Sequence, residues 1–313
     1  MSGLAAVAVA LVPVFAVIVA GAGMRRLRFP GESFWPAAER LVYYVLFPAL
    51  LFRTISTANL TDVQVGPMAA ALLSALAILI VILLLARPVV ARNGPAFTSV
   101  FQAATRFNTY VGLAAAAALF DAEVVTAFAL CIAVMVPTLN LACVAILSLY
   151  GARAGSAGSR LGLLRRTAWD VVRNPLILAC LAGGAMQVAQ LPLPRLVDEV
   201  LFILARAALP LGLLAVGAAL TANGLLERLR PVAVACAGKL VLFPLLIAGT
   251  AILFGVSGPS LTAAILWGVL PTSPAAYVLA RQLGGDAEAM AAAVTATTVA
   301  AFATMPVMLD LLL

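Results

Sequence analysis

Histidine is absent from the 313 residues, and only 10% of the residues are charged. The lack of histidine excludes histidine-based catalytic dyads and triads, proton relays, and histidine-ligated metal or haem sites. The charged fraction is far below the roughly 25% of an ordinary soluble domain. A glycine-rich phosphate loop of the P-loop type is also missing, so the sequence does not predict nucleotide hydrolysis.

Cysteine is scarce as well. The four cysteines fall inside apolar runs and show no paired spacing typical of metal ligands or of a disulfide framework. We therefore interpret them as packing residues and expect neither a metal site nor a cofactor. They are Cys131, Cys143, Cys180 and Cys236.

Apolar residues dominate what remains. They make up 65% of the chain, and the mean hydropathy is +1.15. Runs long enough to cross about 30 Å of hydrocarbon occur ten times, which predicts an all-α membrane protein with ten transmembrane helices. The first run has no positive charge before it, so we interpret it as a retained helix, not a signal peptide. The runs lie near residues 4–23, 36–56, 67–86, 95–119, 124–149, 174–190, 199–222, 232–254, 260–282 and 288–312.

The net charge of +7 is distributed according to membrane topology. Basic residues are scattered between apolar runs and form no patch with interleaved aromatics, so no nucleic-acid partner is expected. Even-numbered connections hold only Arg195. Because positive loops stay cytoplasmic, this asymmetry predicts a multi-pass protein of the cell (inner) membrane with both termini outside the cytoplasm. The odd-numbered connections hold Arg25, Arg26, Arg28, Arg87, Arg92, Arg153, Arg160, Arg165, Arg166, Arg173, Arg228, Arg230 and Arg281.

Short segments recur in order at a separation of 162 to 165 residues, which indicates an internal duplication. The copies would span 1–150 and 174–313, joined by a cytoplasmic linker at 151–173. Five spans per copy is an odd number, so the second copy must be inverted in the membrane. Inverted repeats are typical of secondary transporters, with substrate bound near the midplane where discontinuous helices meet. The recurring pairs are Pro13 with Pro175, Pro48 with Pro210, and Asp121 with Asp286.

The ninth apolar run contains Pro271-Thr272-Ser273-Pro274, which cannot continue a helix. At membrane depth a break is tolerated where it is buried in protein or lines a wet cavity. A proline kink that only shapes packing is the alternative. When the two copies are aligned, Asn108 corresponds to Ser273. A second break is therefore expected in the fourth run, near Gly112. We also expect Pro137 to interrupt the fifth run.

Charged residues inside the runs indicate the sign of the substrate. Arg106, Arg206 and Lys239 lie within apolar runs, where ionisable groups are functional candidates. For Arg206, extension of the long side chain to the interface is the alternative. No carboxylate lies at mid-membrane. Arginine and half-helix N-termini suit an anion, so we predict an organic carboxylate. The predicted substrate-binding residues are Arg106, Asn108, Thr109, Asn140, Thr272 and Ser273, and the predicted helix breaks are at Gly112, Pro137, Pro271 and Pro274.

Five segments together resemble the bacterial branch of the auxin efflux carrier family, and the resemblance covers nearly the whole chain. The Asn108 segment and the segment from Pro271 to Ala280 are its most specific parts. These segments are Leu46 to Phe52, Arg106 to Leu113, Arg173 to Leu176, Leu211 to Ala218, and Leu270 to Ala280.

The resemblance implies a ten-helix carrier similar to sodium/proton antiporters and bile-acid symporters, with broken fourth and ninth helices that cross. It further implies a scaffold of spans 1, 2, 6 and 7, often homodimeric, and a transport domain of spans 3–5 and 8–10 that moves like an elevator. Members carry auxins or small dicarboxylates such as malonate and malate. Asn108 and Asn140 match polar site positions of the family. Plant members have proline at the fourth-span crossover, which this chain lacks, so a milder break is expected there.

Three alternatives remain open at this stage. Sodium- or proton-coupled uptake would resemble the bile-acid symporters. An intramembrane enzyme would use Ser273 or a cysteine as nucleophile, with Lys239 as its only evident base. A non-transporting sensor would bind ligand without flux. The partners predicted are a small organic anion, the lipid bilayer and a second copy of the chain.

Overall fold

A computed structural model describes residues 4–58, 63–91, 93–152, 162, 165, 169, 172–221 and 228–313. These residues form helices and no strand. Much of the predicted linker at 151–173, with Arg153, Arg160 and Arg166, lies outside the described residues, as does Arg92. The helices are α1 (Leu4–Arg26), α2 (Phe34–Leu41), π1 (Val42–Leu46), α3 (Phe47–Ser56), α4 (Val65–Val90), α5 (Gly94–Thr105), α6 (Thr109–Leu119), α7 (Ala122–Tyr150), α8 (Pro175–Val188), α9 (Arg195–Ala219), α10 (Leu229–Ala237), π2 (Gly238–Leu242), α11 (Phe243–Leu253), α12 (Gly258–Val269), α13 (Ala275–Leu283) and α14 (Ala287–Leu312).

Within the described part of the chain, six helical segments are long and apolar enough to cross a membrane. The protein is therefore a multi-pass membrane protein. The other predicted runs contain shorter helices, among them α8 and α12, or helices that a break divides. The six are α1, α4, α7, α9, the continuous segment Leu229–Leu253, and α14.

The segments that contain π-turns owe them to proline. Pro48 and Pro244 each stand two residues after the end of a π-turn, at the second position of the following α-helix. A proline ring collides with the carbonyl four residues earlier and offers no N–H to it. The wider π-turn moves that carbonyl away from the ring, so each helix continues through its proline.

One group of helices packs around α1 and α9. A Cβ on Gly217 would collide with the Ile18 carbonyl, and one on Gly21 with the backbone of Leu214, so the two helices touch backbone to backbone. Close approach at small residues is how membrane helices associate without a hydrophobic driving force. Beside them, α3 packs against both α8 and α9.

An ion pair holds α3 to α9. The Arg53 Nε lies 2.6 Å from an Asp198 carboxylate oxygen, and its guanidinium also covers the ring of Phe202. The Arg53 side chain thus has a charged partner within the protein.

A second group of helices surrounds the two broken segments. Within it, α4 packs on α11, α7 packs on α12, and α5 lies between α7, α10 and α14. The Thr250 hydroxyl donates to the Ala71 carbonyl at 2.9 Å and so joins α11 to α4. The Gln64 N–H donates to the Ser260 hydroxyl at 2.8 Å and joins the start of α4 to α12.

Two of the predicted helix breaks are wrong. Pro137 lies inside the continuous helix α7, and the Thr138 hydroxyl adds a bond to the Val134 carbonyl at 2.9 Å beside it. Membrane helices tolerate proline where threonine hydroxyls and neighbouring helices satisfy the freed backbone groups. Gly112 lies inside α6, where its missing side chain makes room for Phe128 and Leu270.

Candidate functional site: a crossover beside a cavity

The two interrupted helices meet at their breaks. Helix α5 ends at Thr105 and α6 begins at Thr109, while α12 ends at Val269 and α13 begins at Ala275. The Asn108 backbone N–H donates to the Pro271 carbonyl at 2.9 Å. Each break thus satisfies part of the other's exposed backbone, which a gap inside an apolar bundle requires.

The first break forms without proline because Asn108 caps α6. Its side-chain oxygen accepts hydrogen bonds from the N–H groups of Tyr110 at 3.1 Å and Val111 at 3.3 Å. An N-cap residue has a non-helical backbone conformation, and its side-chain oxygen accepts hydrogen bonds from the first N–H groups of the helix that follows. The break covers residues 106–108, whereas the second break, with Pro271 and Pro274, covers residues 270–274. The first break is accordingly the shorter one.

Capping leaves the Asn108 amide nitrogen as a donor with nothing to bind. The residue is 1% exposed, and its Nδ2 has no hydrogen-bond partner within the described part of the chain. Because Oδ1 holds the helix N-terminus, the amide cannot turn over without losing the cap. A buried donor without a partner costs roughly 1–3 kcal/mol, which a ligand acceptor would relieve.

Arg106 presents a second donor at the same break. One guanidinium nitrogen, Nη2, donates to the Asn140 side-chain oxygen at 3.0 Å. The other, Nη1, is buried and finds no partner among the described residues. The bond also uses the Asn140 oxygen, so Asn140 has only its amide nitrogen left to offer. The break therefore holds two buried donors without a partner in the described chain, Arg106 Nη1 and Asn108 Nδ2, and the Asn140 oxygen beside them is already occupied.

A cavity of about 1230 Å³ lies in front of the break. Arg106, Thr109, Asn140 and Ser273 line it. Asn108 is not among the lining residues and is buried next to Thr109 in the chain. The cavity also reaches the start of α2, the start of α8 and the end of α9. These parts adjoin the odd-numbered connections, the ones rich in arginine.

Thr272 does not line the cavity, contrary to its predicted place among the ligands. Its hydroxyl donates to the Ala103 carbonyl at 2.7 Å, and its N–H donates to the Thr297 hydroxyl at 3.2 Å. Thr272 therefore ties the second break to α5 and α14. Ser273 is half-buried on the cavity side, and its hydroxyl accepts from the Ala275 N–H at 3.3 Å.

The other intramembrane cations lie away from the crossover cavity. Lys239 is fully buried in π2, donates to the Gly268 carbonyl at 3.2 Å, and sits 4.7 Å from the Phe243 ring centroid. It caps the C-terminal end of α12, where a positive charge is favourable. Arg206 is exposed on α9 beside Phe202. Lys239 is absent from the cavity wall, so it is not placed to act as a base for Ser273.

Sequence reasoning missed the wall opposite the break. Glu39, Tyr43 and Tyr110 line the cavity, and the Tyr110 ring stacks on Phe47 with centroids 4.8 Å apart. The spacing of Glu39 and Tyr43, one turn apart on the second run, was a signal that both share a helix face. The four cysteines are free, as predicted.

Multi-pass helices with two interrupted segments that cross beside a polar cavity define a membrane transporter. The family model for membrane transport proteins matches residues 6–309. The chain therefore belongs to the auxin efflux carrier family, which confirms the resemblance at the level of the family, and the bacterial branch stays a prediction. No curated protein matches the chain.

Proposed function

We propose that this transporter is a secondary carrier of a small organic anion. The observation that carries the proposal is a pair of buried donors, Arg106 Nη1 and Asn108 Nδ2, which have no partner among the described residues at the crossing of two broken helices. The N-termini of α6 and α13 begin at the same crossing and add the positive ends of their dipoles. A carboxylate fits this arrangement because it accepts several hydrogen bonds and carries the opposite charge.

The proposed architecture has ten spans in two inverted repeats. Spans 2, 4, 8 and 9 would each combine shorter helices: α2 with α3, α5 with α6, α10 with α11, and α12 with α13. The packing of α1, α3, α8 and α9 around one another supports a scaffold made from spans 1, 2, 6 and 7. The helices around the crossover would form the transport domain, which moves against that scaffold to expose the site alternately.

The direction of opening follows from the arginine-rich connections. The cavity adjoins the odd-numbered ones, so we assign it to the cytoplasmic side and both termini to the opposite side. The inside-negative potential favours exit of an anion by about 2.3 kcal/mol per charge per 100 mV. Efflux or exchange would thus need no coupling ion. A homodimer through the scaffold is part of the proposal.

A thermal-stability screen of the purified protein against mono- and dicarboxylates tests the site. A binding carboxylate should raise Tm, and Asn108→Ala should abolish the response. Asn93→Ala is the matched control, because Asn93 also caps a helix, through its bond to the Ala96 N–H at 2.9 Å, but stands at the end of α5 that is far from the break. A full response in Asn108→Ala, or no response of the parent to any carboxylate, would refute the proposed site.

Cation-coupled uptake is the second candidate, because Glu39 puts a carboxylate on the cavity wall. Flux into proteoliposomes with and without a sodium or proton gradient distinguishes the two. Gradient-independent efflux and exchange support the first proposal, whereas strict dependence on either gradient supports the second.

A further inference from the structure

Three glutamates line the cavity, and their pairing differs. The Glu32 carboxylate lies 2.7 Å from the Arg25 guanidinium, and the Glu288 carboxylate lies 2.7 Å from that of Arg228. Glu39 forms no ion pair and accepts no hydrogen bond from any residue the structure describes. Two of the three carboxylates thus have an arginine partner within the protein, whereas Glu39 is available to a cationic group of a ligand.

Its surroundings do not compensate the charge of Glu39. The residue is half-buried on α2. Arg25 is close enough to attract the Glu39 carboxylate, but its guanidinium already donates hydrogen bonds to Glu32 and to the Ala218 carbonyl. The neighbouring Arg40 lines the same cavity, but its side chain is exposed, so water and salt screen its charge more than that of the half-buried Glu39. A half-buried carboxylate without a partner gains from a cation brought by a ligand, because the Coulomb energy is less screened there than in water.

Aromatic rings accompany this carboxylate. Trp35 and Tyr43 lie one turn before and after Glu39 and line the same cavity. The Tyr110 phenol, in the first turn of α6, lies within the electrostatic reach of Glu39. A carboxylate among aromatic rings is the chemistry that holds an ammonium group, through charge and through the negative faces of the rings.

The cavity is therefore lined by hydrogen-bond donors at the break and by a carboxylate on α2. The break offers donors from Arg106, Asn108 and Asn140 to an anionic group. The α2 wall offers the acceptor Glu39, which repels a second carboxylate and attracts a cation. Tyr110 follows the break directly in the chain and also lies near Glu39, so the two walls border one space.

We propose that the substrate is an aminocarboxylate, with its carboxylate at the break and its ammonium group at Glu39. This inference rests on the proposed function and narrows it, since a dicarboxylate of the same length would place its second charge against Glu39. Glu39 is then the residue that determines specificity between the two classes.

The test compares isosteric ligands on the purified full-length protein. The probes are γ-aminobutyrate with succinate and butyrate, and 5-aminovalerate with glutarate and valerate, measured by thermal shift and by calorimetry. The parent should bind the aminocarboxylate of each set about tenfold more tightly than its dicarboxylate. The reason is that Glu39 attracts the ammonium group and repels the second carboxylate in a cavity that water screens only in part. Glu39→Gln should reduce that ratio to about one or invert it, while valerate affinity stays the same or improves.

Matched controls separate Glu39 from general cavity charge. Glu32→Gln and Glu288→Gln each remove a cavity carboxylate that already has an arginine partner, so the ratio should stay at the parent value. The inference is overturned if the parent prefers dicarboxylates, or if Glu39→Gln keeps the parent ratio while binding still depends on Asn108. That second result would leave the anion site intact. If no probe or other carboxylate binds the parent, both the inference and the proposed function fail.

Discussion

The carbonyl of Pro271 accepts the backbone N–H of Asn108 at 2.9 Å, and this bond joins the two halves of the chain at the point where each lacks helical structure. Neither residue could satisfy its backbone alone, because a broken helix leaves N–H and carbonyl groups without partners. The Asn108 side chain is held by its own cap of α6: its oxygen accepts from that N-terminus, and its nitrogen has no partner in the described chain.

Asn108→Asp should separate the two functions of the Asn108 side chain. Aspartate keeps an oxygen acceptor for the α6 N-terminus, so Tm should stay close to that of the parent. It replaces the Nδ2 donor by negative charge, so stabilisation by carboxylates should disappear. Thermal shift with and without ligand measures both. Asn108→Ala should lower the free energy of unfolding by about 1 kcal/mol for the lost cap as well. An aspartate variant that still responds to carboxylates would contradict the assignment.

Thr272 should behave as a structural residue. Thr272→Val removes the donor to the Ala103 carbonyl and leaves that carbonyl unpaired, which should cost about 1–3 kcal/mol of stability. Thr272→Ser keeps the hydroxyl and should recover most of the loss. Chemical unfolding in detergent gives the values. Equal stability of the valine and serine variants would show that this hydrogen bond contributes nothing.

Gly217→Val should weaken the contact between α1 and α9. The added side chain would meet the Ile18 carbonyl, a backbone group that cannot move aside as a flexible side chain would. Overpacking of this kind costs typically 1–3 kcal/mol. Gly184→Val is the control, because a Cβ at Gly184 meets nothing within 4 Å. The prediction concerns the difference in Tm between the two variants, and it fails if they unfold together.

Arg53 and Asp198 should show a coupling energy in a double-mutant cycle. The pair is about one-third exposed, with side-chain exposures of 31% and 34%, so a value of about 0.5–1 kcal/mol is expected. Arg53→Met, Asp198→Asn and the double variant complete the cycle, and high salt should reduce the coupling. Additive single effects would show that the ion pair adds no stability.

The positions of the helices followed from the apolar runs because crossing a bilayer requires a fixed length of apolar chain. Helix α7 was expected at 124–149 and spans Ala122–Tyr150, and α14 was expected at 288–312 and spans Ala287–Leu312. The break at Asn108 was found through the repeat. The break is caused by the asparagine cap. Asparagine is a preferred N-cap residue, so Asn108 before Thr109 was already a signal for a helix start at this point.

The facing of individual side chains was beyond the sequence. Thr272 and Ser273 are neighbours of similar polarity, and only the position of the Ala103 carbonyl decides which of them turns away from the cavity. The exposure of Glu39 depends on the rotation of α2 against α9, which the spacing of apolar residues in this run does not determine. Pro137 and Pro48 have the same chemistry, yet one is absorbed within an α-helix and the other is preceded by a π-turn.

Lys239 is the only lysine in the chain, and it is fully buried against the end of α12. In the folded protein, amine-reactive reagents should therefore find the amino terminus and little else. Any labelling of Lys239 requires water and reagent to enter between π2 and α12. The rate of modification at Lys239, followed by mass spectrometry, therefore measures how often the bundle opens around the second break.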